Sequence, residues 1–154
     1  MKKLLFVCTG NTCRSPMAEA VMKVLASAHG LTGWEIASAG VMAAAGTPAS
    51  WAAMQAVAEI GGDLSDFKSR QLTAAMLAEA DLIVVMTASH RNEVVRRWPG
   101  TAGKVHLLLE YTPDSSNNVA DPFGGSLDLY RYTLAAMLPA LNSLLEQILN
   151  SKQN

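Results

Sequence analysis

Cys8 and Arg14 stand six positions apart in the run Cys8-Thr9-Gly10-Asn11-Thr12-Cys13-Arg14-Ser15. The apolar residues Leu4-Leu5-Phe6-Val7 lead in, and a helical pattern beginning at Pro16 leads out. A strand that turns through a short loop into a helix N-terminus presents backbone N–H groups to an anion. A free thiol titrates near about pH 8.5, and only its thiolate attacks. A helix N-terminus and a nearby cation favour the thiolate, and Cys8 has the loop N–H groups and Arg14 for this. Gly10 and Asn11 are residue types that enter positive φ readily, as a loop aiming successive N–H groups inward requires. Arg14 offers a planar fork to two phosphoryl oxygens. Ser15 can hydrogen-bond the sulfur and help it leave.

Such residues suit two-step phosphoryl transfer. Cys8 attacks phosphorus, and water then hydrolyses the phosphocysteine. Thr9, Gly10, Asn11, Thr12, Cys13, Arg14 and Ser15 form the expected phosphate cradle, with N–H groups and Arg14 on the equatorial oxygens. No metal or other cofactor is expected. The leaving group needs a proton, and Asp121 in Asp121-Pro122-Phe123-Gly124-Gly125 is the candidate donor. Pro122 biases Asp121 toward an extended backbone, and the glycines behind it let the loop close. Asp114 lies in the same loop, so spacing alone does not decide between the two. Cys13 either packs at the helix start or forms a redox pair with Cys8 that protects the nucleophile.

These groups must be carried by an alternating fold. Short apolar runs at 3–7, 34–38, 82–86 and 105–108 read as strands, the second followed by a turn at Gly40. Helical patterns cover 15–28, 48–60, 73–80 and 89–98. Thr73 suits an N-cap. A long loop over 110–125 precedes a final helix capped by Ser126 and running toward Gln147. Pro139 should kink or break that helix near 135–138. Four strands separated by helices argue for one α/β domain over residues 1–154, with a four-stranded parallel sheet flanked by helices on both faces. In such sheets ligands sit beyond the carboxyl ends of the strands, where the Cys8 loop lies.

The chain has 154 residues, half of them hydrophobic and 16% charged, with a formal net charge of −1. That balance fits a packed globular domain and gives no sign of a nucleic-acid or anionic-membrane partner. The longest apolar strand is too short to span a bilayer. After Met1-Lys2-Lys3, the polar residues from Cys8 onward interrupt any signal-peptide core. The expectation is a cytoplasmic monomer, whose two cysteines are reactive rather than structural. His29, His90 and His106 are scattered, read as surface or cap residues, and show no metal spacing.

The segment from Val7 to Pro16 resembles the signature of the low-molecular-weight protein tyrosine phosphatases. Ser38-Ala39-Gly40 and Gly46-Thr47-Pro48 resemble that family's next landmarks, and Asp121-Pro122 resembles its general-acid loop. The likeness runs through the whole chain. It implies Cys8 as nucleophile, Arg14 as phosphate binder and Asp121 as acid, acting on phosphorylated protein substrates. It also implies that Asn11, Ser15 and Ser38 form a network supporting the loop.

Two departures bear on the substrate. Thr12 stands where most of the family carries Ile or Leu against a phosphotyrosine ring. Residues 41–45 lack the aromatic wall common there, and Asp-Pro-Phe-Gly-Gly lacks the paired tyrosines. These features resemble the bacterial protein-arginine phosphatase branch. Thr12 can hydrogen-bond a phosphorylated guanidinium, Asp121 can pair with its charge, and Phe123 can pack on it. The expected substrate is therefore phosphoarginine on proteins. A conventional tyrosine phosphatase is the alternative. A thiol-redox protein of the arsenate-reductase kind is another, although it would need cysteines beyond Cys13. A non-catalytic phosphate-binding module is a third.

Overall fold

The computed structural model describes residues 1–113 and 118–151. Its first strand, β1 (Lys2–Cys8), is buried from Leu4 through Cys8. A strand apolar on both faces belongs inside a parallel sheet. It lies between β2 (Trp34–Gly40) and β3 (Leu82–Val85), with β4 (Val105–Leu107) beyond β3. The order is β2-β1-β3-β4 and every pairing is parallel.

Alternate side chains of β1 point to opposite faces. Leu4, Phe6 and Cys8 join the core built with α1 (Arg14–Ala28), α2 (Trp51–Ala58) and α5 (Leu127–Ser151). Leu5 and Val7 join the core that includes Leu77 of α3 (Ala74–Glu79) and Val94 of α4 (Ala88–Arg97). The sheet is thus a middle layer covered on both sides, and β1 delivers Cys8 to its carboxyl edge. The predicted four-stranded α/β arrangement is the one observed.

Three local expectations are corrected. The second helix begins at Trp51, because Ser50 stays extended and its Oγ accepts from the Ala53 N–H at 3.3 Å. A serine cap outweighs the helical propensity of the residues before it. Gly40 closes β2 rather than turning it: its N–H bonds Arg70 O and its carbonyl accepts from Leu72 N. A Cβ at Gly40 would run into the Thr9 carbonyl oxygen and sit 3.0 Å from Asn11 N, so glycine lets the phosphate loop lie against the strand end. The last helix is unbroken from Leu127 to Ser151 despite Pro139. Pro139 cannot donate to the Ala135 carbonyl. Both residues are exposed, so water can take that carbonyl's bond at little cost.

The 110–125 loop starts with a tight 3₁₀ turn, Leu108–Tyr111. Asp114 lies outside the described residues. The far end of the loop is fixed by Val119 N–H on the Met86 carbonyl at 2.8 Å, and by the Asn118 side chain accepting from Ala88 N. Those anchors lie at the carboxyl end of β3, beside β1. They bring Asp121 back to the edge that holds Cys8. No described helix is long and apolar enough to cross a membrane.

Candidate active site

The loop between β1 and α1 is held by its carbonyls. Those of Cys8 and Thr9 accept from Val41 and Met42 at 2.9 Å, and that of Thr12 accepts from Ser50 at 3.0 Å. In a trans peptide the next N–H points the opposite way. Binding these carbonyls to the surrounding chain therefore turns the N–H groups of Thr9, Gly10 and Cys13 away from it. Among the described residues, Asn11 alone of the non-glycines takes positive φ, at 56°. Gly10 does not, against expectation; one left-handed residue suffices to reverse the chain.

Asn11 is fully buried, and its amide orientation is fixed by its partners. Its Oδ1 accepts from the Arg70 N–H at 2.8 Å, so Nδ2 faces the two serines. That Nδ2 donates to Ser15 Oγ and to Ser38 Oγ, each at 2.9 Å. Each serine, receiving one proton, directs its own elsewhere. Ser38 donates to Glu19 Oε1 at 2.8 Å, and Glu19 pairs with Lys23. Ser15 Oγ lies 2.9 Å from Cys8 Sγ, and its free proton points there. Asn11 thus makes Ser15 a donor to sulfur, which favours the thiolate.

Burial pushes the Cys8 thiol up. Opposing it are the Ser15 hydroxyl, the N–H groups of Ser15 and Asn11, and the Arg14 charge. Arg14 is itself buried. It donates to Val119 O at 3.2 Å and to Thr9 Oγ1 at 3.5 Å, and lies 3.5 Å from Asp121 Oδ2. Asp121 remains half exposed and turns over its own loop, with Oδ1 accepting from Phe123 N at 3.1 Å.

A cavity of about 250 Å³ is lined by Cys8, Thr9, Gly10, Thr12, Cys13, Arg14, Asp121 and Phe123. The nucleophile candidate, the arginine, the acid candidate and both selectivity candidates therefore share one pocket. Asn11, Ser15 and Ser38 stand behind it. Three larger clefts elsewhere among the described residues contain neither cysteine. Cys8 and Cys13 are both free thiols. Cys13 Sγ lies 3.1 Å from Tyr130 Oη and 3.8 Å from Ser50 Oγ. Burial, ahead of its contact with Cys13, raises the Tyr130 phenol, so it keeps its proton beside that sulfur.

Sequence reasoning missed His90, read as a surface or cap residue. It is buried in the first turn of α4, which starts at the carboxyl end of β3, and its Nε2 lies 2.8 Å from Thr9 Oγ1. The strand order would have revealed it, because β3 pairs with β1 and sets this helix start beside the loop. Burial first, and Arg14 second, lower His90 from 6.5 to about 4, against a smaller opposing effect of Asp121. A neutral imidazole therefore buttresses the threonine that contacts Arg14.

Between about pH 6.5 and 4 the unfolded chain protonates His90 while the folded chain resists, so stability falls as pH drops through that window. His90→Gln is expected to reduce this acid-side loss, read by thermal unfolding at both ends of the window. It should also lower kcat/KM roughly tenfold by loosening Thr9 and Arg14. An unchanged pH slope would contradict the buried neutral assignment.

Comparison with known proteins agrees with this geometry. The family model for low molecular weight phosphotyrosine protein phosphatases matches residues 3–154. A protein-arginine-phosphatase from Bacillus subtilis is 39% identical over 145 residues, covering 94% of this chain and 95% of that protein. The YwlE arginine phosphatase from Geobacillus stearothermophilus superposes with a TM-score of 0.90 at 34% identity, covering 99% of this chain and 96% of the other. A YwlE Cys-to-Ser mutant with a phosphorylated active-site serine superposes with a TM-score of 0.89 at 38% identity, over 95% of each chain. With a thiol, an arginine and a carboxylate around one pocket, and a match over residues 3–154, the chain belongs to the low molecular weight phosphotyrosine protein phosphatase family.

Proposed function

We propose that this protein phosphatase hydrolyses phosphoarginine on proteins, with Cys8 as nucleophile, Arg14 as phosphate clamp and Asp121 as proton donor and acceptor. One observation carries the substrate assignment. Thr12, Asp121 and Phe123 line the same pocket as Cys8 and Arg14. A hydroxyl, a carboxylate and an aromatic face are the groups a planar cation uses. The arginine-phosphatase relatives support it.

In the first step the Cys8 thiolate forms the S–P bond and the P–N bond breaks. The departing nitrogen takes the Asp121 proton, and the product leaves as a guanidinium that the resulting carboxylate can accompany. In the second step Asp121 takes a proton from water, whose oxygen attacks phosphorus, and the S–P bond returns its electrons to Cys8. The Ser15 proton stabilises that thiolate. Loop N–H groups and Arg14 hold the equatorial oxygens in both steps. Thr9, Gly10, Thr12 and Cys13 supply backbone to this cradle, while Asn11, Ser15 and Ser38 keep its shape.

Thr12→Ile tests the selectivity. The substitution removes a hydrogen-bonding hydroxyl and adds apolar surface suited to a ring. The ratio of kcat/KM for phosphoarginine over phosphotyrosine should fall by about 10- to 100-fold. An unchanged ratio would contradict the role given to Thr12. We place the phosphatase in one domain over 1–154, supported by the span of the family match, and read it as a cytoplasmic monomer.

A further inference from the structure

Cys13 lines the pocket, yet its thiol has no part in the two phosphoryl steps. The residue is buried, and hydroxyl groups from three segments surround its sulfur. Tyr130 Oη, from the first turn of α5, lies 3.1 Å away. Ser50 Oγ, from the cap of α2, lies 3.8 Å away. The third is Thr12 Oγ1, at 3.6 Å, on the neighbouring residue of the loop. Sulfur is a larger atom than oxygen, and its hydrogen bonds are correspondingly longer and weaker. Ser50 is tied to this corner twice, since its N–H also bonds the Thr12 carbonyl at 3.0 Å.

Counting protons fixes the direction of each bond. A thiol carries one proton, and its sulfur can also accept. The Ser50 contact has the geometry of a bond donated by the thiol, which places that proton on Ser50 Oγ. Sulfur is then the acceptor in the other two contacts. Tyr130 donates the first and Thr12 the second. A hydroxyl has one proton and two lone pairs. With its proton on sulfur, Thr12 has only lone pairs to offer the pocket it lines. Its Oγ1 lies 3.8 Å from where a Cβ on Gly10 would stand, so glycine keeps the space beside that oxygen open.

We infer that Cys13 and Tyr130 are positioning residues, which make Thr12 a hydrogen-bond acceptor for an N–H of the substrate. This rests on the phosphoarginine reading of the pocket. A phosphorylated guanidinium carries N–H groups on the two nitrogens that share a carbon with the phosphorylated one. Phosphotyrosine has an ester oxygen and ring carbons at that distance from phosphorus, and none of them donates. An acceptor held toward the substrate is satisfied by the first and left unpaired by the second, which is how a polar site discriminates strongly. A thiol that donated to Thr12 would occupy the lone pair the substrate needs. The Tyr130 and Ser50 contacts hold the thiol in the orientation that prevents this.

The test is a double-mutant cycle, read as the ratio of kcat/KM for phosphoarginine over phosphotyrosine in one peptide sequence. Cys13→Ala removes the acceptor for the Thr12 proton and should lower the ratio about tenfold. Tyr130→Phe keeps the buried ring, loses the bond to sulfur, and should lower the ratio about threefold. Its turnover of p-nitrophenyl phosphate should stay within about twofold of wild type. Cys13→Ser restores a group that both donates and accepts, and should hold the ratio within about twofold of wild type. In a Thr12→Val background the hydroxyl is gone, so Cys13→Ala and Tyr130→Phe should leave the ratio where Thr12→Val puts it. A ratio unchanged by either single variant, a fall that persists in the Thr12→Val background, or an equal loss on all three substrates would each overturn the positioning role and leave the substrate reading intact. Faster turnover of the phosphotyrosine peptide by wild type would overturn the substrate reading, and this inference with it.

Discussion

Cys8→Ser is expected to abolish turnover, by about 10⁴-fold or more, while the protein still takes up one phosphoryl group at that position. The hydroxyl is a much weaker nucleophile than the thiolate, since its proton comes off far less readily. The loop N–H groups, Arg14 and Asp121 remain, so one slow transfer from substrate is still possible. Release then stalls, because an alkoxide is a poorer leaving group from phosphorus than a thiolate. A similar chain has been seen as a Cys-to-Ser mutant with a phosphorylated active-site serine. Steady-state kinetics measures the loss, and intact-protein mass spectrometry followed by peptide mapping locates the phosphoryl group. Turnover within tenfold of wild type would contradict covalent catalysis by Cys8.

Asp121→Asn is expected to lower kcat by about 10²- to 10⁴-fold. Asparagine keeps the size of the side chain and its turn contact with Phe123 N, and loses the transferable proton. Like the protonated Asp121 that the first step requires, it is neutral, so phosphate binding should hold. KM should therefore change far less than kcat. The loss should be smaller for p-nitrophenyl phosphate, whose leaving group departs without protonation, than for a phosphopeptide. Equal losses on both substrates, or a loss confined to KM, would count against a proton-transfer role.

The candidate site was largely legible in the sequence because most of it is local. Cys8 ends β1 and Arg14 and Ser15 open α1, so strand–loop–helix patterning alone gathers them around an anion site. Asp121 was legible only as a carboxylate in a long loop. The pinning of Asn118 and Val119 to the end of β3 is what carries it to Arg14. Ser38 could be anticipated only by resemblance, since its link to Asn11 crosses 27 residues. His90, Glu19 and Tyr130 were illegible as site residues. Each reaches the loop through strand order or helix packing, and each looks ordinary in its own neighbourhood. Gly40 was misread for a related reason: local rules see a turn former, whereas the fold uses its missing Cβ to admit the Thr9 carbonyl. At Pro139 the propensity rule was right about the lost hydrogen bond and wrong about its cost, because the gap faces water.

We propose that the Cys8 pocket, lined also by Thr12, Asp121 and Phe123, accepts a phosphorylated guanidinium. The direct measurement is wild-type kcat/KM on two peptides of one sequence, carrying phosphoarginine in one and phosphotyrosine in the other, at matched enzyme concentration. Faster turnover of the phosphoarginine peptide, by about tenfold or more, is the expected result. Faster turnover of the phosphotyrosine peptide would contradict it.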